Sequence, residues 1–196
     1  MNFIALSIAS IVAFLIYNEN KDPKHRSLQF GEVMGEVDGI KAYSNYLAPK
    51  LENSESNYYH KQFTGIKWQC VEFVRRYIII KKQITFDQVD FAYNIMDLKY
   101  FKTIHNVERV LIYKYKNGDT FPQINDLIIW DKDVDDKKTG HVAVILEIYN
   151  DYVKIGEQNW SNCKWEHKNY SRRIPIVNKN SKHYLKDKHI IGLIRF

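Results

Sequence analysis

From Gln69 to Ile80 the chain reads QCVEFVRRYIII, and Val71, Phe73, Val74, Tyr77, Ile78 and Ile80 recur at spacings of three, four and seven. Those positions cover more than half of a helical circumference, so the segment predicts a helix buried on most of its sides. Its polar positions are Glu72, Arg75 and Arg76. Such a helix needs other elements around it, and the chain downstream of it is mostly strand. DLIIW (126–130) reads as a buried strand, HVAVILEIY (141–149) and YVKIGEQNW (152–160) as a hairpin about Asn150-Asp151, and IIGLIRF (190–196) as a last strand. One helical region with a run of strands after it points to an α+β fold, with a central helix packed on an antiparallel sheet.

The remaining segments are weaker. FGEVMGEVDGIKA (30–42) is punctuated by three glycines and predicts a hairpin or irregular strand. NSESNYY (53–59) reads as a loop, 91–100 as a weak helix and KDVDDKKTG (132–140) as a charged loop. The chain contains no repeat or low-complexity run.

FIALSIASIVAFLIY (3–17) is apolar and uncharged. As a helix it would span about 22 Å, short of the ~30 Å hydrocarbon core. It suits a signal-peptide core in length, but no Lys or Arg precedes it and no small-x-small cleavage site comes after it. A secretion signal, a short anchor with membrane association and an ordinary buried helix all stay open, and localisation with them: membrane-associated or secreted if 3–17 is a targeting segment, cytoplasmic otherwise. The expected division is an N-terminal segment and linker over 1–27 and a catalytic domain over 28–196.

The formal charge of +6 favours anionic partners. Yet Lys and Arg are interleaved with Asp and Glu, and no nucleic-acid-binding signature is present, so this is a solvated basic surface rather than a nucleic-acid site. The candidate metal ligands lack the local spacing of zinc sites, and neither a metal nor another cofactor is expected. Two cysteines, Cys70 and Cys163, exclude a disulfide framework. Cys163 reads as a loop thiol.

Cys70 opens the predicted helix, where unpaired N–H groups and the helix dipole favour an anion and hence a thiolate. A cysteine nucleophile needs a base, and His141 begins a strand directly after Thr139-Gly140. Glu157, sixteen positions later, could orient the imidazole and stabilise its protonated form. Parity sets a condition. A two-residue Asn150-Asp151 turn with regular pairing would put His141 and Glu157 on opposite faces, so the reading requires an odd-length loop or one bulge. Taken singly, each residue has an ordinary structural role: a packed cysteine, a histidine capping a loop, a charge on an edge strand. Together they supply what thiol acyl transfer needs, with backbone N–H groups near Cys70 as oxyanion donors and Gln69, or a side chain from the preceding loop, as a further one.

KWQCVEFVRRYI, LIIWDK, TGHVAVI and EQNW, in this order, resemble the CHAP amidases, and among them the amidase domain of bifunctional glutathionylspermidine synthetase/amidase. The resemblance covers about residues 28–196. It implies a papain-like α+β fold and a catalytic triad of Cys70, His141 and Glu157. It also implies Gln69 at the oxyanion hole and Arg75 and Asn159 along the substrate site. The activity it implies is hydrolysis of the amide between glutathione and spermidine, and related CHAP enzymes cut peptidoglycan amide or peptide bonds. The expected partner is therefore a small peptide-amide or polyamine-conjugate substrate, or peptidoglycan. Because the chain stops at Phe196 without an ATP-dependent synthetase domain, hydrolysis alone is expected.

Overall fold

The structure, a computed structural model, describes residues 27–134 and 138–196. The apolar stretch 3–17 lies outside the described residues. Among those described, no helix is long and apolar enough to cross a membrane.

The main helix, α1, runs Cys70–Lys82. Gln69 precedes it in extended geometry, and Gln83 ends it in the left-handed region, its N–H returning to the Ile79 carbonyl. Burial extends past the apolar positions: Glu72, Arg75 and Arg76 are buried along with Phe73, Val74, Tyr77 and Ile78. The helix therefore has almost no solvated face in its first two turns.

Seven antiparallel strands form the sheet beside it, in the order β13 (Lys182–Leu185), β12 (Arg172–Lys179), β11 (Tyr152–Gly156), β10 (His141–Ile148), β9 (Leu127–Trp130), β14 (Ile190–Arg195) and β8 (Tyr113–Lys116). Its two outer strands meet. Asn117 exchanges two 3.0 Å hydrogen bonds with the Leu185 backbone, Gly118 bridges to His183, and Lys182 pairs with Asp119. The sheet thus curls on itself and hides its edges. Gly118 is required at this junction, since its φ is +97° and a Cβ there would lie 2.3 Å from the Tyr184 ring.

Alternation along the strands separates two cores. Leu127, Ile129, Val142 and Val144 pack with Phe73, Val74, Tyr77 and Ile78 of α1. Ile128, Trp130, Ala143 and Ile145 pack inside the curl with Val153, Ile155, Ile174 and Leu193. Burial of both faces explains why β9 and β10 read as continuous apolar runs.

Three smaller sheets surround this centre. β1 (Val33–Val37) and β2 (Ile40–Tyr43) form the expected hairpin about Asp38-Gly39. β3 (Ser56–Tyr59) pairs with β4 (Gln62–Ile66), and β5 (Ile84–Thr85), β6 (Tyr100–Thr103) and β7 (Arg109–Leu111) form a third unit. Two expectations need correcting. The stretch 53–59 is not all loop, because Ser56–Tyr59 is a strand. It turns through His60 and Lys61, both at positive φ without a glycine, and it buries no apolar stripe. The segment 91–100 holds only a short 3-10 helix, Ala92–Asp97, before Tyr100 opens β6. Its buried residues are Ala92 and Ile95, the i, i+3 spacing of a 3-10 turn, and Leu98 is already extended.

Candidate active site

Cys70 is the first residue of α1 and 8% exposed, at the wall of a cleft of about 680 Å³. Its thiol stands beside the imidazole of His141, close enough to raise the imidazole's pKa. His141 is the first residue of β10 and 2% exposed. Its Nε2 lies 2.9 Å from Oε2 of Glu157, so Nδ1 is the ring nitrogen not engaged by the carboxylate. Glu157 comes directly after β11 and is 1% exposed. The three side chains form one line from helix to strand to loop.

The parity condition is met by a bulge. Tyr149 N–H donates to the Tyr152 carbonyl at 2.8 Å, so the hairpin tip is the two-residue turn Asn150-Asp151. The register then shifts between Ile145 and Glu147, and Val144 faces Gly156. Continuing that register puts Glu157 opposite Ala143, on the face shared with His141. Neither His141 nor Glu157 is a surface residue.

Burial and partners compete at each group. Burial disfavours a charged imidazole, but hydrogen bonding and charge from Cys70 and Glu157 outweigh it, and the His141 pKa is raised to about 9. For Glu157 burial again opposes the charge. The hydrogen bond from His141 and the charge of Arg172 prevail and hold its pKa down at about 2. A charged imidazole beside an ionised carboxylate is therefore the favoured state at neutral pH. Trp130 and Trp160 flank the ring at 5.3 and 4.8 Å between centroids, which keeps water from it.

Gln69 adjoins Cys70, and its Oε1 accepts from Asn159 Nδ2 at 2.8 Å. That bond turns the Gln69 amide so that its own NH2 has no partner among the described residues. Asn159 reaches it from a left-handed conformation, φ 60°, which asparagine tolerates. Directly after Gln69 in the chain, the first N–H groups of α1 have no intrahelical partner.

Arg75 lines the cleft, 2% exposed. Its Nη1 donates to the Thr64 carbonyl at 2.8 Å and Nη2 to the Asp87 carbonyl at 3.3 Å, and the guanidinium lies over Phe63 and Phe86. Burial lowers its pKa to about 10 against the nearby charges of Glu72 and Asp87, so it stays charged; among the described residues no carboxylate forms an ion pair with it, and Nε is unpaired. Arg76 instead pairs with Glu72 at 2.7 Å. Five of the six residues singled out from sequence, Gln69, Cys70, Arg75, His141 and Asn159, line this cleft, and Glu157 stands buried behind His141.

Sequence reasoning missed what supports them. Glu72, fully buried, accepts from Asn57, Thr64, Arg76 and Gln158, and Gln158 also holds the Gln69 carbonyl and the Tyr43 N–H. This cluster ties the start of α1 to the loop carrying Asn159. Gly65 approaches the helix here: its φ is +142° and a Cβ would lie 3.0 Å from Glu72 Cα. Ser171 and Arg172, which hold Glu157, come from β12 and its approach and gave no sequence signal. Trp160 is 40% exposed and lines the cleft, whereas Trp130 is buried.

A helix-borne thiol, a strand-borne imidazole and an acidic partner beside a curled antiparallel sheet define the class of papain-like cysteine amidases. Residues 61–159 match the CHAP domain, half of the chain, and the protein belongs to the CHAP family. It is 29% identical over 177 residues to the bifunctional glutathionylspermidine synthetase/amidase of Escherichia coli, covering 86% of this chain and 29% of that protein. It is 36% identical over 153 residues to trypanothione synthetase of Crithidia fasciculata (77% and 23%) and 28% identical over 188 residues to glutathionylspermidine synthase of the same organism (83% and 26%). The chain spans less than a third of the length of each.

Proposed function

We propose that residues 28–196 form a thiol amidase that cleaves a glutathionylspermidine-like conjugate, in which a γ-glutamyl peptide is joined to a polyamine. The juxtaposition of Cys70 with His141 at a cleft wall, with the His141–Glu157 hydrogen bond behind it, carries this reading. His141 takes the proton of Cys70, and the thiolate attacks the amide carbonyl. Gln69 and the helix-start N–H groups receive the oxyanion. As the tetrahedral adduct collapses, His141 protonates the leaving amine and an acyl-thioester remains. Water, losing a proton to His141, then displaces the thiol and frees the acid.

Charge in the cleft supports this substrate over a wall polymer. Arg75 places a cation with no carboxylate partner in it, suited to the carboxylates and carbonyls of the peptide part. Asp90 lines the same cleft, exposed and without an ion pair among the described residues, and would suit a cationic amine. Purified protein should release spermidine from glutathionylspermidine, with Cys70→Ala as the blank. Release of amine or peptide only from muropeptides in the same mass-spectrometric panel would replace this reading with that of a peptidoglycan hydrolase.

A further inference from the structure

Each Glu157 oxygen accepts two hydrogen bonds. Oε2 takes His141 Nε2 at 2.9 Å and Arg172 Nη2 at 3.2 Å, while Oε1 takes Arg172 Nε at 2.7 Å and Ser171 Oγ at 2.8 Å. Arg172 therefore grips the carboxylate with two donors of one planar group. The same guanidinium lies 4.4 Å over the Trp160 ring and 5.5 Å over Trp130, the two rings that flank the imidazole. Its side chain is 29% exposed and that of Glu157 only 1%. Water thus reaches the outer side of Arg172, and the carboxylate behind it stays dry.

A carboxylate desolvated without a cation tends to take up a proton. A neutral Glu157 would still fill its space but would no longer stabilise an imidazolium. Steric filling alone does not require an arginine here; holding a charge in a dry pocket at a fixed angle does.

We propose that Arg172 is a positioning residue, which keeps Glu157 ionised and fixed and Trp160 seated on His141, and through both poises the Cys70–His141 pair. The inference rests on the proposed catalytic roles of those three residues. Arg172 acts through them and touches no substrate. The charged groups facing Glu157 are His141 from β10 and Arg172 from β12, and Cys70 of α1 stands beyond the imidazole.

The test compares wild type, Arg172→Lys and Arg172→Gln by two readouts. One is glutathionylspermidine turnover; the other is the rate of Cys70 alkylation by iodoacetamide from pH 4 to 9, located by mass spectrometry. Turnover is expressed per alkylatable Cys70, so misfolded molecules are not counted. In Arg172→Gln, kcat should fall on the order of 10²-fold with KM near wild type, as for a misplaced catalytic group. The acid-side decline of alkylation should begin at higher pH, because Glu157 now protonates more readily. Arg172→Lys should restore the acid side and only part of kcat. Wild-type kcat and an unmoved acid side in both variants overturn the proposal, as does a loss confined to KM or to the folded fraction. If Arg172→Gln does not fold, Arg172→Lys decides alone, and wild-type kcat in it overturns the clamp. No turnover by wild type, with the alkylation profiles as expected, counts against the substrate reading and not against Arg172.

Discussion

Replacing Glu157 with glutamine preserves the side chain's shape and removes its charge, so it isolates what that charge does for His141. The imidazole pKa stands at about 9 against an ordinary 6.5, although burial works the other way. At about 1.4 kcal/mol per tenfold change in proton affinity, the imidazolium is favoured by about 3 kcal/mol net. Cys70 and Glu157 supply that together, and because they must also offset burial, their gross contribution is larger. Losing half of the net figure lowers the proton affinity of the imidazole about tenfold, and losing all of it about 10²-fold. Arg172, left facing a neutral amide, acts in the same direction. The Glu157→Gln enzyme should therefore lose roughly 10- to 10²-fold in kcat/KM. Its alkaline decline should move down from near pH 9 toward neutrality, because the working state needs a protonated imidazole and that state is lost as pH rises through the His141 pKa. The assay is amide hydrolysis across pH, normalised to reactive Cys70. A variant within about threefold of wild type, with its alkaline decline unmoved, would refute a carboxylate-supported imidazolium.

The same contacts set three further outcomes. The raised His141 pKa contributes stability that is complete below about 6.5 and lost as pH rises through about 9; the depressed Glu157 pKa contributes stability complete above about 4.5 and lost as pH falls toward about 2. Thermal unfolding should accordingly show the greatest contribution of this pair between pH 4.5 and 6.5, and a Glu157→Gln protein should be flatter across both limits. Glu72→Leu removes one partner of a buried ion pair and strands Arg76 and Gln158, so it should cost about 3–5 kcal/mol and lower Tm by about 10 °C. An unchanged melting curve would show that water or neighbours replace the carboxylate. Gln69→Leu should lower kcat on the order of 10²-fold with KM little changed, and a change in KM alone would remove Gln69 from the oxyanion site.

The parts of this fold that read clearly from sequence are those whose burial is one-dimensional. Helix α1 and strands β9, β10 and β14 have apolar runs that name their period, and the helix-start thiol and strand-start imidazole are set by those boundaries. The strand Ser56–Tyr59 was hidden because it presents alternating polar residues and tyrosines, and its turn uses no glycine. Arg172 was hidden for a different reason. It stands in a Ser-Arg-Arg run typical of a solvated strand, and only the pairing of Ile155 with Arg172 brings it beside the end of β11. Likewise Glu72, on a helix face otherwise readable as salt-bridged surface, becomes a buried hub only once Thr64, Asn57 and Gln158 arrive from other elements.

The meeting of His141 and Glu157 depends on one extra residue. With the Asn150-Asp151 turn and no bulge, Tyr149 opposite Tyr152 would extend to Val144 opposite Glu157. The carboxylate would then point with Val144 toward the α1 core and away from the imidazole. The bulge at Leu146 restores the shared face. Its sequence sign was Gly156, directly before Glu157 in a strand otherwise rich in β-formers. A Cβ at Gly156 would come within 3.3 Å of Leu146 Cδ1 and of the Phe73 ring, so the missing side chain leaves the space the bulged leucine occupies against the helix. The packing of Leu146 on α1 and the alignment of the Glu157 carboxylate with His141 are thus one structural fact, and a substitution at Gly156 would disturb the core and the proposed triad together.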